Sequence, residues 1–407
     1  MRPPEALYIH VPFCVSLCPY CDFVVVAGAA TRGPRNRVTA FLAALRRELD
    51  LRADLADARW GTPGSLSRPP LGSLYFGGGT PSLLPGDEIA GIVEIVRLRF
   101  GLASGAEVTV ESNPGPDERG DARALADAGV TRISFGAQAL DDDTLRSLGR
   151  RHRARDVREA ITDAREAGIA SVSLDLLYDT PGGTLQAWVG TLDSALSLAP
   201  DHLSLYALTL DDPDAEGLTG PTGDHLPVAR GARRWRADAR ARQDDDRAAA
   251  MYEHAVHRLA EAGFHGYEIS NWALPGHESR HNLAYWERRP YEAVGPGAHA
   301  FDGAARRWNA ARLDSYIAAL TSPPGVSAQL PPGGTEAINP EASAAERIIL
   351  GLRTSHGVSL SESTRQPLSD HFSWARDADL LSVTADDRIV LTTKGRLLSN
   401  ELFSRLV

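Results

Sequence analysis

Six short, β-rich apolar runs alternate with amphipathic stretches between residue 5 and about residue 210, and this alternation narrows the possible folds more than any other feature. The runs are ALYIHVPF (6–13), GSLYF (72–76), EVTVES (107–112), VTRISFG (130–136), SVSLDLL (171–177) and LSLYAL (203–208). Between them, helical spacing puts Val38, Phe41, Leu42, Leu45 and Leu49 on one face, and Ile89, Ile92, Val93, Val96 and Phe100 on another. A further stretch carries Val157, Ile161 and Ala164 and stops at Gly168, a predicted C-terminal cap. Strands and helices in strict alternation imply a parallel sheet, either doubly wound or rolled into a barrel. The expected class is α/β, an open partial (β/α)6 TIM-like barrel. Its chemistry belongs at the carboxyl ends of the strands and in the loops that follow them.

A chain of 407 residues exceeds one small module. The stretch TSPPGVSAQLPPGG (321–334) pairs prolines and glycines that oppose both helix and central strand, so it reads as a boundary. Residues 1–320 are then the barrel unit, 321–335 a linker and 336–407 a small α+β unit, for which winged-helix geometry is one reading. That unit opens with a helix around AAERIILGLRT and ends with a strand passing into a helix through Thr392 and Thr393. A formal charge of -10 opposes broad nucleic-acid binding, which draws on excess Lys and Arg. Apolar runs are too short to cross a bilayer and MRPPEALYIH lacks secretory-signal character, so a cytoplasmic protein is expected, with peripheral membrane contact left open.

All three cysteines of the chain, Cys14, Cys18 and Cys21, fall in HVPFCVSLCPYCDF, directly after the first predicted strand. They are too few and too close for a disulfide framework. A redox Cys-x2-Cys needs no third thiol, and zinc takes four ligands, here only by recruiting His10. Three thiolates suit three irons of a [4Fe-4S] cubane, leaving the fourth without a protein ligand. An open iron of that kind can chelate S-adenosylmethionine, whose reductive cleavage gives a 5′-deoxyadenosyl radical.

This motif resembles the radical-SAM superfamily, and the resemblance runs strand after strand through the first 210 positions. It implies that Tyr20 packs near the adenine and that Tyr8 contacts the methionine part. The run GGGTPS (77–82) resembles the segment that binds the methionine amino group, which implicates Gly78, Gly79 and Thr80. Glu111, Gln138, Arg150 and Asp175 match S-adenosylmethionine-binding positions of the coproporphyrinogen III dehydrogenase group. One departure is Tyr178-Asp179-Thr180-Pro181, where that group has glycine in second place. Aspartate reaches the left-handed backbone region less freely than glycine, so the neighbouring Asp175 is less firmly placed.

Residues 263–301 concentrate four histidines, three tyrosines and two tryptophans, a composition suited either to a metal-bearing macrocycle or to packing a barrel mouth. In HNLAYW, His281 and Tyr285 are four apart and share a helix face. His-Asn-x-x-Tyr-Trp resembles the motif of the HemW family of haem chaperones, as do YEISNWA, VGPGAHAF and LTTKGRLLSNELF. The family implies a haem-binding protein, with His281 and Tyr285 as haem residues and Ala298 and His299 near the cofactor. It also implies haem transfer to acceptor proteins such as respiratory enzymes, by a monomer or a homodimer.

The alternative is an oxygen-independent coproporphyrinogen III dehydrogenase, and a weaker one is a radical-SAM enzyme for another tetrapyrrole. The dehydrogenases carry a fourth cysteine where this chain has Phe23, and they have a longer N-terminal extension. Both differences favour the chaperone. The stretch 211–246 mixes Gly, Pro and Asp with Arg230, Arg233, Arg234, Arg236, Arg240 and Arg242, and reads as a solvated insertion, with a contact to a partner or to haem propionates as the competing reading.

Overall fold

The computed structural model describes residues 1–28, 36–211, 218–219, 225–321, 329–363 and 368–406. Each β-rich run is a strand: β1 Ala6–Val11, β2 Leu71–Gly78, β3 Leu102–Ser112, β4 Arg132–Gln138, β5 Ser171–Tyr178 and β6 His202–Ala207. They pair in parallel, each with its sequence neighbour. Side chains alternate between the two faces of a strand, and here the faces differ in chemistry. Leu7, Ile9, Leu74, Phe76, Val108 and Val110 point outward into the apolar core beneath the helices. Tyr8, Tyr75, Thr109, Ser134, Ser173 and Ser204 line an interior cavity.

The helices follow the apolar spacing. Helix α1, Val38–Trp60, runs beyond the leucine stripe because Ala53 and Ala56 continue the buried face; α2 is Gly86–Arg99 and α3 is Ala154–Glu166. Gly168 closes α3 with φ +83° while its N–H donates to Arg165 O.

The sheet extends past six strands. Short strands β7 His265–Gly266, β8 Asn271–Ala273, β9 Tyr291–Val294, β10 His299–Phe301, β11 Ala305–Asn309 and β12 Gly333–Ala337 make it twelve-stranded, in the order β12-β11-β10-β9-β1-β2-β3-β4-β5-β6-β8-β7. The order has two ends, so the barrel is open. Strand β9 is parallel to β1, which makes a seventh parallel strand, and β8 lies antiparallel to β6. Later segments thereby cover edges that six strands alone would expose.

A buried carboxylate locks this extension to α1. Glu48 is fully buried and accepts from Asn309 Nδ2 at 2.9 Å, Gly295 N at 2.9 Å, Tyr316 Oη at 2.8 Å and Arg52 Nη2 at 3.2 Å. A charge so fully partnered is tolerated inside a protein, and removing any partner is costly.

Residues 340–363 and 368–406 pack a separate apolar cluster that includes Ile348, Leu352, Val358, Phe372, Leu391 and Leu402. Its helix Pro340–Arg353 is capped by Asn339, and a three-stranded antiparallel sheet forms from Val358–Ser359, Arg388–Leu391 and Leu381–Val383. Thr392 caps the helix Thr393–Leu397 by accepting from Gly395 N. Of the arginine-rich stretch, residues 212–217 and 220–224 lie outside the described residues. The remainder contributes helix α4, Arg230–Arg240, and the start of α5, Asp245–Glu261.

Candidate functional site

The cysteine loop leaves β1 at Val11 and closes on itself where Phe13–Cys14 pairs with Val26–Ala27. His10 ties its two ends together. The carbonyl of Val24 can only accept, so His10 Nε2 donates to it at 2.7 Å, and Tyr8 Oη then donates to His10 Nδ1 at 3.0 Å. The GGGT run abuts the same loop, and its glycines are needed for clearance. A Cβ on Gly78 would lie 2.5 Å from the His10 ring, and one on Gly79 would lie 2.6 Å from Phe13 O. Thr80 Oγ1 donates to Cys14 Sγ at 3.6 Å and Arg150 Nη1 donates to Cys18 Sγ at 3.4 Å.

Burial pushes the Cys14 thiol up to about 11 and the Cys21 thiol up to about 12. Without a metal these thiols stay protonated at neutral pH. The donor set fits an iron–sulfur cluster: three thiols face one cavity, and a hydroxyl and a guanidinium already donate to sulfur, as hydrogen-bond donors around anionic clusters do.

Behind the loop lies a cavity of about 740 Å³. Glu111 accepts from Tyr75 Oη at 2.8 Å and from Gly78 N at 3.0 Å, and burial raises its carboxyl to about 7. Asp175 accepts from Ser134 Oγ at 3.0 Å and is raised by burial to about 6. Gln138, at φ +65°, and Tyr20 also line the cavity. Arg150 Nη2 reaches Gly136 O at 2.7 Å and also bonds Asn113 Oδ1, whose amide donates to Thr80 Oγ1 at 3.0 Å. Asp179 does occupy the left-handed region, at φ +53°, where its buried carboxylate accepts from Arg247 Nε at 2.8 Å. That ion pair replaces the freedom a glycine would bring, and Asp175 keeps its place on the cavity wall.

His281 and Tyr285 belong to helix α6, Arg280–Trp286, at the amino ends of the strands. Glu107 fixes the start of α6 by accepting from Arg280 N and His281 N, both at 3.2 Å. His281 Nδ1 meets Ser73 Oγ at 2.9 Å and Nε2 meets Tyr285 Oη at 2.8 Å, as the four-residue spacing requires. Burial lowers His281 to about 3, so its imidazole is neutral. Iron ligation by this ring has to displace Ser73 or Tyr285. Ser73 precedes Gly78 by five residues on β2, about 16 Å along the strand, so the histidine and the cysteine loop occupy different ends of one cavity. Ala298 is buried against Tyr8, whereas His299 is exposed and stacks on Trp308.

Three groups at the site escaped the reading of motifs. Tyr75 stacks on His281 with ring centroids 4.9 Å apart and bonds Glu111, bridging the two ends. His202 forms a second chain, Ser173 Oγ to Nδ1 at 2.7 Å and Nε2 to Tyr267 Oη at 2.8 Å. Arg236 reaches the cysteine loop from α4. Strand alternation marks the first two as inward; no sequence signal separates Arg236 from its neighbouring arginines.

Residues 8–195 match the model of the Radical SAM superfamily. Over 406 residues the chain is 36% identical to the heme chaperone HemW of Mycobacterium tuberculosis (strain ATCC 25618 / H37Rv), covering 99% of this chain and 95% of that protein. The chain belongs to the HemW family. The HemW of Escherichia coli (strain K12) is 35% identical over 299 residues, 73% of this chain and 70% of that one. Among solved structures, coproporphyrinogen III oxidase (HemN) from Escherichia coli, described as a radical SAM enzyme, aligns with a TM-score of 0.75 at 22% identity, over 100% of this chain and 90% of that one. That likeness gives the fold, an open radical-SAM barrel. The sequence likeness to the HemW relatives runs through the His281 segment and, in the mycobacterial case, through the C-terminal unit.

Proposed function

We propose that this HemW-family protein is a haem chaperone that holds a [4Fe-4S] cluster and S-adenosylmethionine and passes haem to acceptor proteins. The observation that carries the reading is the single cavity lined both by the three thiols and by the His281–Tyr285 pair. Cys14, Cys18 and Cys21 would ligate the cluster. Tyr8, Tyr20, Gly78, Gly79, Thr80, Glu111, Gln138, Arg150 and Asp175 would bind S-adenosylmethionine beside it. When bound, the cluster supplies one electron at low potential to the sulfonium.

The chain's own groups do the rest. Gly78 N and Tyr75 Oη orient the Glu111 carboxylate, which in its ionised form accepts hydrogen bonds from ribose hydroxyls. Ser134 orients Asp175 in the same way. His281, neutral through burial, is in the protonation state a metal needs, and Tyr285 holds its outer nitrogen until haem arrives.

The test is anaerobic reconstitution followed by haem titration of the wild type and His281→Ala, beside an assay for protoporphyrinogen formation. Haem binding that weakens about tenfold or more in the variant, with no coproporphyrinogen turnover, is the expected outcome. Turnover, or haem binding indifferent to His281, overturns the reading.

A further inference from the structure

We propose that helix α4 is a clasp on the cysteine loop and that Arg236 is the positioning residue that keeps this loop in its ligand-ready shape. The part of the argument that concerns the cluster rests on the function proposed above; the clasp itself rests on the geometry of the loop.

Arg236 stands apart from the other arginines of its stretch. Its side chain is 4% exposed, whereas Arg230, Arg233, Arg234 and Arg240 are exposed. Its Nε donates to Pro19 O at 3.1 Å, its Nη2 to Cys21 O at 2.9 Å, and its Nη1 to Asp211 O. One planar fork thus grips carbonyls on both sides of Tyr20, within the turn from Cys18 to Cys21, and joins that turn to the segment leaving β6. A lysine has a single head group and cannot span these acceptors.

The helix is held firmly enough to present that fork. Trp235 Nε1 donates to Ser147 O at 3.1 Å, and its ring lies 6.2 Å from the Tyr20 ring. Ala239 packs with Leu148, Leu208 and Leu210, while Arg240 and Gln243 bond Leu210 O and Leu208 O. Ser147 and Leu148 close the helix Asp142–Ser147 just before Arg150, so one helix braces both the turn of Cys18 and Cys21 and the segment that delivers Arg150 to Cys18 Sγ.

The charge points the same way. Arg236 spends its donors on neutral carbonyls, and among the described residues no carboxylate forms an ion pair with it. A buried guanidinium without a counterion is costly, and an anionic cluster on the adjoining cysteines offsets that cost. In return the cation favours the reduced, more negative state of the cluster and raises its reduction potential.

The experiment uses the full chain with Arg236→Gln, Arg236→Lys and the same-helix control Arg234→Gln. Hydrogen exchange of residues 14–24 is followed in the cluster-free chain, and the midpoint potential is measured after anaerobic reconstitution. In Arg236→Gln the loop amides exchange about tenfold faster or more, and the potential moves negative. Arg236→Lys recovers the potential but only part of the protection, and Arg234→Gln matches the wild type. Loop exchange unchanged in Arg236→Gln, equal acceleration in Arg234→Gln, or a potential insensitive to Arg236→Gln overturns the proposal. A wild-type chain that takes up no cluster refutes the cluster reading instead, and the exchange measurement still decides the clasp.

Discussion

At the carboxyl ends of the strands, Cys14, Cys18 and Cys21 sit on a loop whose sulfurs receive one hydroxyl and one guanidinium hydrogen bond. At the amino ends, His281, His202 and Glu107 have their polar atoms matched by serine, tyrosine, arginine and backbone partners. The first end presents its three thiols on the wall of the cavity. At the second the histidine nitrogens are already bonded within the chain, so a ligand on His281 would have to exchange an internal partner. Mutation should therefore cost binding without stability at one end, and stability together with binding at the other.

The largest expected effect is that of Cys14→Ala, which should abolish cluster iron while leaving the melting temperature of the cluster-free chain nearly unchanged; iron and sulfide analysis beside circular dichroism reads both. Full iron content in that variant would break the contrast. Glu107→Ala strips Arg132 and two α6 amides of their acceptor, and urea denaturation should show a loss of about 3–5 kcal/mol.

His281→Ala should cost less, about 2–3 kcal/mol, since a small cavity opens and Ser73 and Tyr285 lose a partner. This deficit depends on pH. The folded-state value of His281, about 3, lies below its unfolded value, so its contribution is present above about pH 6.5 and fades as pH falls. Melting curves of wild type and variant should converge from pH 7 towards pH 4. The smallest effect is on assembly: the thiols must shed protons to bind iron, so cluster yield should rise modestly from pH 7 to pH 8.5. A flat yield across that range would remove burial of the thiols from the account.

The strands were legible because outward Leu7, Ile9, Leu74 and Phe76 create runs that helices must cover. The cysteine end was legible too, because thiol spacing is local and the loop follows β1 directly. What sequence concealed lies in the inward half of the same alternation. Ser73, Tyr75 and Gly77 share a face of β2, as do Ser171, Ser173 and Asp175 on β5, yet nothing in either run tells that Ser73 will meet His281 or that Ser173 will meet His202. Arg236 was hidden for a different reason. Its neighbours Arg233 and Arg234 have the same composition and opposite burial, and only the tertiary docking of α4 separates them. The seventh parallel strand, β9, was missed because four residues of Tyr-Glu-Ala-Val carry too little pattern to stand out among aromatics.

The late arrival of β9 has a consequence for biosynthesis. Strand β1 is made first, but the neighbour on its outer side is translated some 280 residues later, together with Gly295 and Tyr316, which neutralise the isolation of Glu48. Gly295 also packs so close to His10 that a Cβ there would sit 2.4 Å from the His10 carbonyl. A nascent chain that has released only the six core strands thus carries an open edge and a Glu48 that has Arg52 but still lacks its later hydrogen-bond donors. The cysteine loop, anchored through His10, therefore meets its neighbour Gly295 only once β9 has been made, so its final packing comes late in synthesis.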